Sequence, residues 1–400
     1  MQRLRAAFVV TIVDPIHEAW FRELATDRTI DFRVFALRDK LSHRPGWQTR
    51  HDAGFGVEIV RSFSMRRHRR LHDTSARDLT IRFVPVDLVP RLWRFRPDVI
   101  VVSNVTELVQ ALLVKWLTGA RVVRGCEETR SYFARNTPVR RWLKSFMMRR
   151  VDMHCAYSSA ARELLLDLGI PSDAITFTPW AVDNEKVARW AAEASVTAMR
   201  EKLDLRGFVF VTVAALIPLK GIDRLLAAWK TVAAAHRDKA TLVIVGDGPE
   251  RSRLSEYARA HELTNVRFAG HLPPPEVAAC LAASHVFVLP TLGDNWGLVV
   301  NEAMAARLPV LCSRYAGSCQ DLVRNGVNGF VFDPGDRDGL ASLLCDVMQH
   351  PERLADMSRA SADIISEFTI PRSIASLVQA LHAVRRKSPV GLEPGSAAHD

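Results

Sequence analysis

The 400-residue sequence predicts an α/β protein made of two doubly wound, Rossmann-like domains that face each other across a cleft. Short apolar strands alternate with helical stretches through the first half of the chain, and a second series of the same kind begins near residue 208. Such alternation is typical of βαβ units with mostly parallel strands. A chain of this length also forms about two domains as a rule.

The first series predicts a domain over residues 1–182, with a hinge near residues 179–184. Its expected strands are 6–13, 32–37, 99–103, 121–125 and 153–158, and its clearest helices are 106–117 and 140–150. Residues 41–96 have weaker periodicity and receive no assignment. The apolar run 6–13 ends at Asp14-Pro15 after only 8 residues, which favours a buried first strand over a signal peptide.

The second series predicts a domain over residues 183–375. Its expected strands are 208–215, 240–246, 266–270, 286–290, 309–313 and 329–332, and its expected helices are 185–204, 222–235, 250–261, 275–283, 299–306 and 337–349. A last helix over 376–387 is expected to pack back on the first domain. The tail 388–400 is rich in Pro, Gly, Ser and Ala, which predicts disorder.

Charge is distributed unevenly along the chain. Residues 1–180 hold 30 Lys and Arg against 19 Asp and Glu, whereas the remainder holds 24 against 25. Residues 61–96 carry ten arginines and three aspartates. This region is either a solvated arginine-rich face or a contact with an anionic membrane surface, where each basic group adds about 1 kcal/mol. No nucleic-acid-binding module is recognisable, so no nucleic-acid partner is expected.

The six cysteines give no support to a structural zinc site, because none forms a C-x2-C pair. They are interpreted as reduced thiols of a cytosolic protein. No stretch reaches the roughly 18 apolar residues that a bilayer span needs. The expected location is therefore cytoplasmic, peripheral to the inner face of the plasma membrane.

Three loops that follow predicted strands of the second domain carry candidate chemistry, since ligands of open α/β sheets bind at the carboxyl ends of the strands. The first loop ends in Lys220-Gly221 at the start of a helix. A helix start offers free N–H groups and a partial positive charge, and Lys220 adds a full one, which together suit a phosphate. An exposed lysine in a turn is the alternative. The second loop contains Gly246 and Gly248, and by itself indicates no more than a tight turn.

The third loop is the most informative segment. Asp294 lies in a glycine-containing loop, and Gly297 opens a helix whose first N–H groups have no partner within the helix. A diphosphate there would accept from the N–H groups of residues 297–299. Glu302 lies about one and a half turns further on and can accept from two vicinal hydroxyls, such as those of a ribose. The alternative is a capping Asp294 with a solvent-facing Glu302.

Residues 208–345 contain five segments that resemble, in the same order, the nucleotide-binding half of the retaining glycosyltransferases of family 4, which have the two-domain GT-B fold. The similar pieces are residues 216–221 (LIPLKG), 245–249 (VGDGP), 266–270 (VRFAG), Asp294-x7-Glu302, and Ala316-Gly317 to Asn328-Gly329. Residues 178–183 also resemble the family's segment that leads into the second domain.

The resemblance implies a role for each matching residue. Lys220 would contact the donor diphosphate, Asp294 the transferred sugar, and Glu302 the ribose hydroxyls. These three are the implied catalytic residues. The donor-binding set implied in full is Lys220, Gly246, Gly248, Arg267, Gly270, Asp294, Gly297, Leu298, Val299 and Glu302. The resemblance implies no cofactor and no metal, because lysine and helix N–H groups neutralise the leaving group.

The chain departs from the family pattern in several places. Asp294 stands where the family usually has glutamate, and Ala214-Ala215 stand where an arginine is usual, so that Arg224 becomes the alternative phosphate contact. Arg307 stands where a glycine is common. In the first domain Asp14-Pro15-Ile16-His17 replaces a glycine-rich loop. Cys126-Glu127-Glu128 replaces a segment that often contains histidine. His17, Glu127 and Glu128 are therefore acceptor-side candidates, with ordinary loop polarity as the alternative.

The implied activity is transfer of a sugar, with retention of anomeric configuration, from a nucleoside-diphosphate sugar to a saccharide or lipid-linked saccharide acceptor. Synthesis of exopolysaccharide, capsule or lipopolysaccharide is the implied setting. Two alternatives are a sugar-nucleotide epimerase of similar fold, which would act on the donor alone, and a non-catalytic binding protein that has kept the fold.

Overall fold

The structure is a computed structural model that describes residues 3–40, 49, 54–70, 77–236 and 239–386, without the side chains of residues 66–70 and 77–82. The predicted disordered tail 388–400 lies outside these residues. The elements of the first part of the chain are β1 Leu4–Val10, α1 Pro15–Leu24, β2 Ile30–Ala36, β3 Gly56–Ile59, β4 Ser62–Arg70, β5 Arg77–Pro85, α2 Leu88–Phe95, β6 Val99–Val102, α3 Val105–Thr118, β7 Arg121–Cys126, α4 Arg130–Ala134, α5 Pro138–Met148, β8 Met153–Ala156, α6 Ser159–Asp167 and β9 Ile175–Phe177.

The second part of the chain continues the same alternation. Its elements are α7 Asn184–Glu193, α8 Val196–Lys202, β10 Phe208–Val213, α9 Ile222–His236, β11 Ala240–Val245, α10 Arg251–Ala260, β12 Val266–Gly270, α11 Pro274–Ala282, β13 Val286–Leu289, α12 Leu298–Ala305, β14 Val310–Ser313, α13 Cys319–Leu322, β15 Gly329–Phe332, α14 Arg337–Gln349, α15 Leu354–Ser366 and α16 Ile370–Arg386.

Each half contains one parallel sheet. The first sheet has the order β3-β2-β1-β6-β7-β8-β9, and the second has the order β12-β11-β10-β13-β14-β15. Strand order reverses beside β1 in the first sheet and beside β10 in the second. Ligands of doubly wound sheets bind at such switch points, outside the carboxyl ends of the strands. The fold therefore confirms two Rossmann-like domains.

The segment that received no assignment from the sequence adds one strand to the first sheet and a separate hairpin. β3 pairs parallel to β2, whereas β4 and β5 pair antiparallel with each other. The predicted helix over 185–204 is wrong as a single element. Ala194 is extended, and the Ser195 side chain caps α8 by accepting from the N–H of Ala198, so the segment forms α7 and α8 instead.

The strands are buried by the helices that cover both faces of each sheet. In the second domain the side chain of Trp229 on α9 is fully buried between α9 and β10, and its indole N–H donates to Asn265. In the first domain a core of β1, β2 and β6 side chains is closed by α16, which comes from the far end of the chain. Its residues Ile374, Leu377, Leu381 and Val384 lie in that core.

The boundary predicted at 375/376 falls inside α16, because this helix begins at Ile370. The chain passes between the domains at two neighbouring places, one before α7 and one before α16. Ser373 Oγ donates to the carbonyl of Pro179 at 2.6 Å, and Asn184 Nδ2 donates to the carbonyls of Ile365 and Phe368. The two crossings are thus joined by hydrogen bonds.

Truncation of Leu381 tests how much the last helix contributes to the first domain. Leu381 is fully buried, so Leu381→Ala is expected to lower the free energy of unfolding by roughly 2–5 kcal/mol through lost burial and a residual cavity. Chemical denaturation followed by tryptophan fluorescence measures it. Gln379→Ala, at an exposed position of the same helix, is the control and should change stability by less than about 0.5 kcal/mol. Equal effects of the two substitutions would contradict the assignment.

Candidate active site

The loops after β10 and β13 meet at the switch point of the second sheet. Pro218–Lys220 form one short turn, and Gly221 follows with φ 64°. A Cβ at residue 221 would lie 2.1 Å from the carbonyl oxygen of Pro290. Only glycine therefore permits this approach, which the N–H of Leu292 secures by donating to the carbonyl of Leu219 at 2.8 Å.

This contact brings Lys220 and Asp294 together. Lys220 Nζ lies 2.5 Å from Asp294 Oδ2, and both side chains are about one-fifth exposed. The loop after β14 fixes Asp294 from the other side, since the N–H of Asp294 donates to the carbonyl of Tyr315 and its own carbonyl accepts from Gly317. The lysine charge is thus balanced by a carboxylate whose backbone is fixed.

The first turn of helix α12 lies at the same switch point, beside Asp294. Gly297 precedes the helix with φ 91°, a left-handed conformation that favours glycine. Among the described residues, the N–H groups of Gly297, Leu298 and Val299 have no hydrogen-bond acceptor. Three free donors at the positive end of a helix dipole make an anion-binding arrangement.

Glu302 lies on the face of α12 that carries Leu298 and Val299, since residues four and three apart share one side of a helix. No hydrogen bond or ion pair joins its carboxylate to the described part of the chain. Burial raises the pKa of Glu302 to about 7. Its neighbour Asn301 instead fixes the helix, because it accepts from the Trp296 indole at 2.7 Å and donates to the carbonyl of Trp180.

The loop after β11 forms the remaining wall of the site. Gly246 has φ 133°, and a Cβ there would lie 1.9 Å from the carbonyl oxygen of Ala214. Its N–H donates to the carbonyl of Gly270 at 2.7 Å. Gly248 likewise allows close packing against Leu216. These predicted donor-site glycines therefore hold the loops after β10, β11 and β12 together.

The side chain of Arg267 points away from the switch point, which leaves only its main chain for the donor-binding role expected of residues 266–270. Arg267 donates to Asp204 Oδ2 at 2.5 Å and to the carbonyl of Thr264, both of which precede strands rather than follow them. The guanidinium thus lies at the amino ends of the strands, away from the switch point. Side chains alternate between the two faces of a strand, and sequence spacing alone does not tell which way the end of a long side chain turns.

Arg224 lies in the first turn of α9, four residues after Lys220. Its Nε is buried and makes no hydrogen bond with the described residues, and it lies 3.8 Å from Asp223 Oδ2. Arg224 therefore keeps one guanidinium donor without an acceptor in the described part of the chain, which is compatible with the alternative phosphate contact.

The acceptor-side candidates separate into two groups. Asp14 caps α1, and His17 Nδ1 lies 2.9 Å from its Oδ1. Burial alone would lower the pKa of His17, but Asp14 and Glu127 together raise it above its usual value. Burial raises the pKa of Glu127, and its Oε2 accepts from Asn295 of the other domain at 3.3 Å. Glu127 therefore faces the donor loop from across the cleft, and His17 lies near enough to Glu127 for their charges to interact.

Glu128 has a structural setting instead. Its carboxylate pairs with Arg124 at 3.2 Å and with Lys144. Burial would raise its pKa, yet these two cations hold the pKa below the usual value. A carboxylate engaged by two internal cations has little capacity left for an acceptor.

Two residues that the sequence did not single out complete the contacts across the cleft. Arg135 follows α4 and donates from Nη2 to the carbonyl of Leu292 at 2.9 Å. Ser159 at the start of α6 donates to Asp321 with both its N–H and its hydroxyl. The first contact spans 157 residues, and the only sequence signal for it is the cluster of basic residues around Arg135.

The described residues contain no group of three or more His, Cys, Asp or Glu side chains placed to hold a metal ion. No helix among them combines the length and the hydropathy that crossing a membrane requires.

Comparison with known proteins gives two family matches. Residues 17–181 match the glycosyl transferase 4-like domain, and residues 196–363 match the glycosyl transferases group 1. Crystal structures of Anabaena HepE in complex with UDP and with UDP-glucose superpose with TM-scores of 0.76 and 0.74 at 17% identity, covering 95% of this chain and all of that one.

Curated relatives are similar over shorter stretches. Glycogen synthase of Mycobacterium tuberculosis is 31% identical over 42% of this chain and 40% of its own length. D-inositol 3-phosphate glycosyltransferase of Thermobispora bispora is 30% identical over 58% of this chain and 56% of its own. The chain thus spans about half the length of the curated relatives that it matches.

The two family matches and the two parallel sheets with their facing switch points define a glycosyltransferase of the GT-B fold. Each half of the chain matches its own domain family, which narrows the classification. The first domain matches the glycosyl transferase 4-like domains, and the second matches the glycosyl transferases group 1.

The raised pKa of Glu302 predicts a pH-dependent stability difference. The folded state holds the Glu302 proton up to about pH 7, whereas the unfolded chain releases it near 4.5. The protonated side chain therefore stabilises the fold below pH 4.5, and this contribution is lost as the pH rises through 7. Glu302→Gln should match the wild type at pH 4.5 and be more stable at pH 8, by up to roughly 3 kcal/mol.

Thermal unfolding at the two pH values measures this effect. The exposed Glu185 on α7 supplies the control, because Glu185→Gln should give no pH-dependent difference. A Glu302→Gln variant whose stability differs equally from wild type at both pH values would show that Glu302 has an ordinary pKa.

Proposed function

We propose that this chain transfers a sugar from a nucleoside-diphosphate sugar to a hydroxyl group of a saccharide or lipid-linked saccharide. One observation carries the proposal. Lys220, the first N–H groups of α12 and Glu302 meet at one switch point. These N–H groups and the Glu302 carboxylate have no partner among the described residues. A cation with helix N–H groups suits a diphosphate, and a carboxylate on the same helix suits the two hydroxyls of a ribose.

The Lys220–Asp294 ion pair gives each partner a second task. An entering diphosphate competes with Asp294 for Lys220 and brings more negative charge than the one carboxylate that it replaces. Asp294, then released from the lysine, accepts hydrogen bonds from hydroxyls of the transferred sugar. Aspartate is one methylene shorter than the glutamate usual in the family, so the sugar must lie correspondingly nearer to the loop.

During transfer the bond between the anomeric carbon and the distal phosphate oxygen breaks, and negative charge collects on that phosphate. Lys220 and the N–H groups of residues 297–299 stabilise this charge as it develops, with Arg224 as a further donor. No cofactor or metal enters this scheme.

The stereochemical proposal is retention by displacement on one face of the sugar. Retaining glycosidases use a carboxylate nucleophile about 5 Å from an acid. Here Asp294 is paired with Lys220, and Glu302 is assigned to the ribose. The acceptor oxygen would therefore bond to the anomeric carbon on the face that the phosphate leaves, and its proton would pass to the departing phosphate oxygen.

The acceptor side is proposed from the first domain. Its mouth carries His17, whose imidazole pairs with Asp14, and Glu127, hydrogen-bonded to Asn295. The excess positive charge of residues 1–180 supports an anionic or membrane-associated acceptor. Synthesis of exopolysaccharide, capsule or lipopolysaccharide at the cytoplasmic face of the plasma membrane agrees with these features.

Donor binding is tested by thermal shift with a panel of UDP-, GDP-, ADP- and dTDP-sugars. A shift is expected with one base and none with the others. Glu302→Ala should lower the affinity for that donor by at least about 30-fold, because two hydrogen bonds to a charged acceptor are lost. Glu185→Ala is the matched control and should bind as wild type does. Wild-type affinity in Glu302→Ala would sink the ribose assignment.

Transfer itself is tested by incubating the selected donor with mono- and disaccharide glycosides and following the anomeric proton of the product by NMR. Retention predicts the same anomeric configuration in donor and product. An inverted product would refute the same-face displacement, and a changed sugar nucleotide without acceptor would identify an epimerase. Binding without any product would identify a non-catalytic protein.

A further inference from the structure

Helix α3 exposes an apolar stripe on the side that faces away from the protein. Val109, Leu113, Trp116 and Leu117 point outward, and Trp116 is 80% exposed. The opposite side of the helix carries Leu108, Ala111 and Val114, which are fully buried against the sheet. A surface helix normally has polar residues on its outer side. This one is apolar on both.

Helix α5 is likewise apolar on its outer side as well as on its buried side. Val139, Trp142, Leu143 and Phe146 recur at the spacing of one helical face and point outward, with Val139 75% and Trp142 66% exposed. The rings of Trp142 and Phe146 stack at 5.6 Å. Met147 and Met148 on the other side are buried. Among the described residues, none of these four outer side chains belongs to a core cluster or packs against one.

The two stripes lie next to each other and form what we call the α3–α5 surface. Lys115 near the end of α3 donates to the carbonyl of Arg150, just beyond α5, at 2.9 Å. It also pairs with Asp152 at 2.6 Å. Both helices bury their inner sides in one core cluster, which contains Ala111 of α3 and Met147 of α5. Their outer stripes therefore face away from the same core, and exposed apolar surfaces of this kind mark interaction sites.

The charge around the patch indicates its partner. Residues 130–150 contain seven Arg and Lys and no Asp or Glu. Arg141, Arg149 and Arg150 are exposed, and the Arg150 guanidinium lies 3.4 Å above the Phe146 ring. Exposed tryptophans bordered by arginines are the composition of helices that lie in the interface of an anionic bilayer. A protein partner would not require this excess of one charge.

The location of the surface agrees with a lipid-anchored acceptor. Arg135 contacts the donor loop at Leu292, and α5 begins three residues later at Pro138. The N-terminal end of the stripe, at Val139, therefore lies close to the mouth of the cleft. This step alone rests on the proposed transferase function.

We propose that the α3–α5 surface is a docking face for a bilayer that contains anionic phospholipid. Trp116 and Trp142 enter the boundary between the headgroups and the acyl chains, and the arginines around α5 contact the lipid phosphates. The arginine-rich region 61–96 was the membrane contact expected from the sequence. In the part of it whose side chains are described, Arg61 and Arg91 pair with Asp87, while Arg94 and Arg96 are exposed. It lies outside the surface proposed here.

The test is binding of the full chain to sedimented vesicles of phosphatidylcholine with and without about 30% phosphatidylglycerol. The double variant Trp116→Gln/Trp142→Gln should bind the mixed vesicles at least about tenfold more weakly. Arg141→Gln should lose roughly fivefold on the mixed vesicles and nothing on phosphatidylcholine alone. The control Val196→Gln/Val327→Gln changes two exposed apolar positions of the second domain and should bind as wild type does.

A second measurement needs no variant. Bilayers with brominated acyl chains should quench part of the tryptophan fluorescence of the wild type, because two of its nine tryptophans reach the bilayer. Tryptophan fluorescence that brominated lipid leaves unchanged would overturn the proposal, as would equal vesicle binding by the wild type and the tryptophan variant. Sedimentation equilibrium without lipid gives a further test. If the wild type is a dimer and the tryptophan variant is a monomer, a second copy covers the surface and the proposal is overturned. Donor affinity of the same variants is expected to be unchanged, which separates this test from that of the transferase.

Discussion

The close approach of the loops after β10 and β13 is the constraint on which the site depends. It requires a residue without a side chain at position 221, because a Cβ there would fall 2.1 Å from the carbonyl of Pro290. Once the two loops touch, Lys220 meets Asp294 and α12 starts beside them. Gly246 joins the loop after β11 to the same assembly. The charges are therefore placed by backbone contacts rather than by the side chains themselves.

The charges in the ligand-free site balance one another. Lys220 has a carboxylate at 2.5 Å, and burial raises the pKa of Glu302 to about 7, which disfavours its charged form. Neither residue leaves a strong uncompensated charge in the cleft. A ligand with both a diphosphate and vicinal hydroxyls supplies the lysine with a new anion and the Glu302 carboxylate with donors. Free phosphate supplies only the first, so the site favours the whole ligand over its fragment.

Features set by local sequence were predictable. The strand from Val266 to Gly270 has the expected bounds, and Lys220, Asp294 and Glu302 fall in loops and a helix start that the sequence indicates. Long-range side-chain contacts were not. The pairing of Glu128 with Lys144, the turning of Arg267 to Asp204 and the contact of Arg135 with Leu292 depend on how separate elements pack. The outward apolar stripes of α3 and α5 were not predicted either, because periodicity does not tell which of two apolar helix faces is buried.

The chain crosses between the domains twice, and the crossings are held side by side by the hydrogen bonds of Asn184 and Ser373. Two adjacent connections resist separation of the domains but permit rotation about the line through them. Atoms far from this line move most when the angle changes. The contacts at the mouth of the cleft, from Arg135 to Leu292 and from Asn295 to Glu127, would therefore part first on opening. They would re-form last on closing, after a ligand has settled against α12.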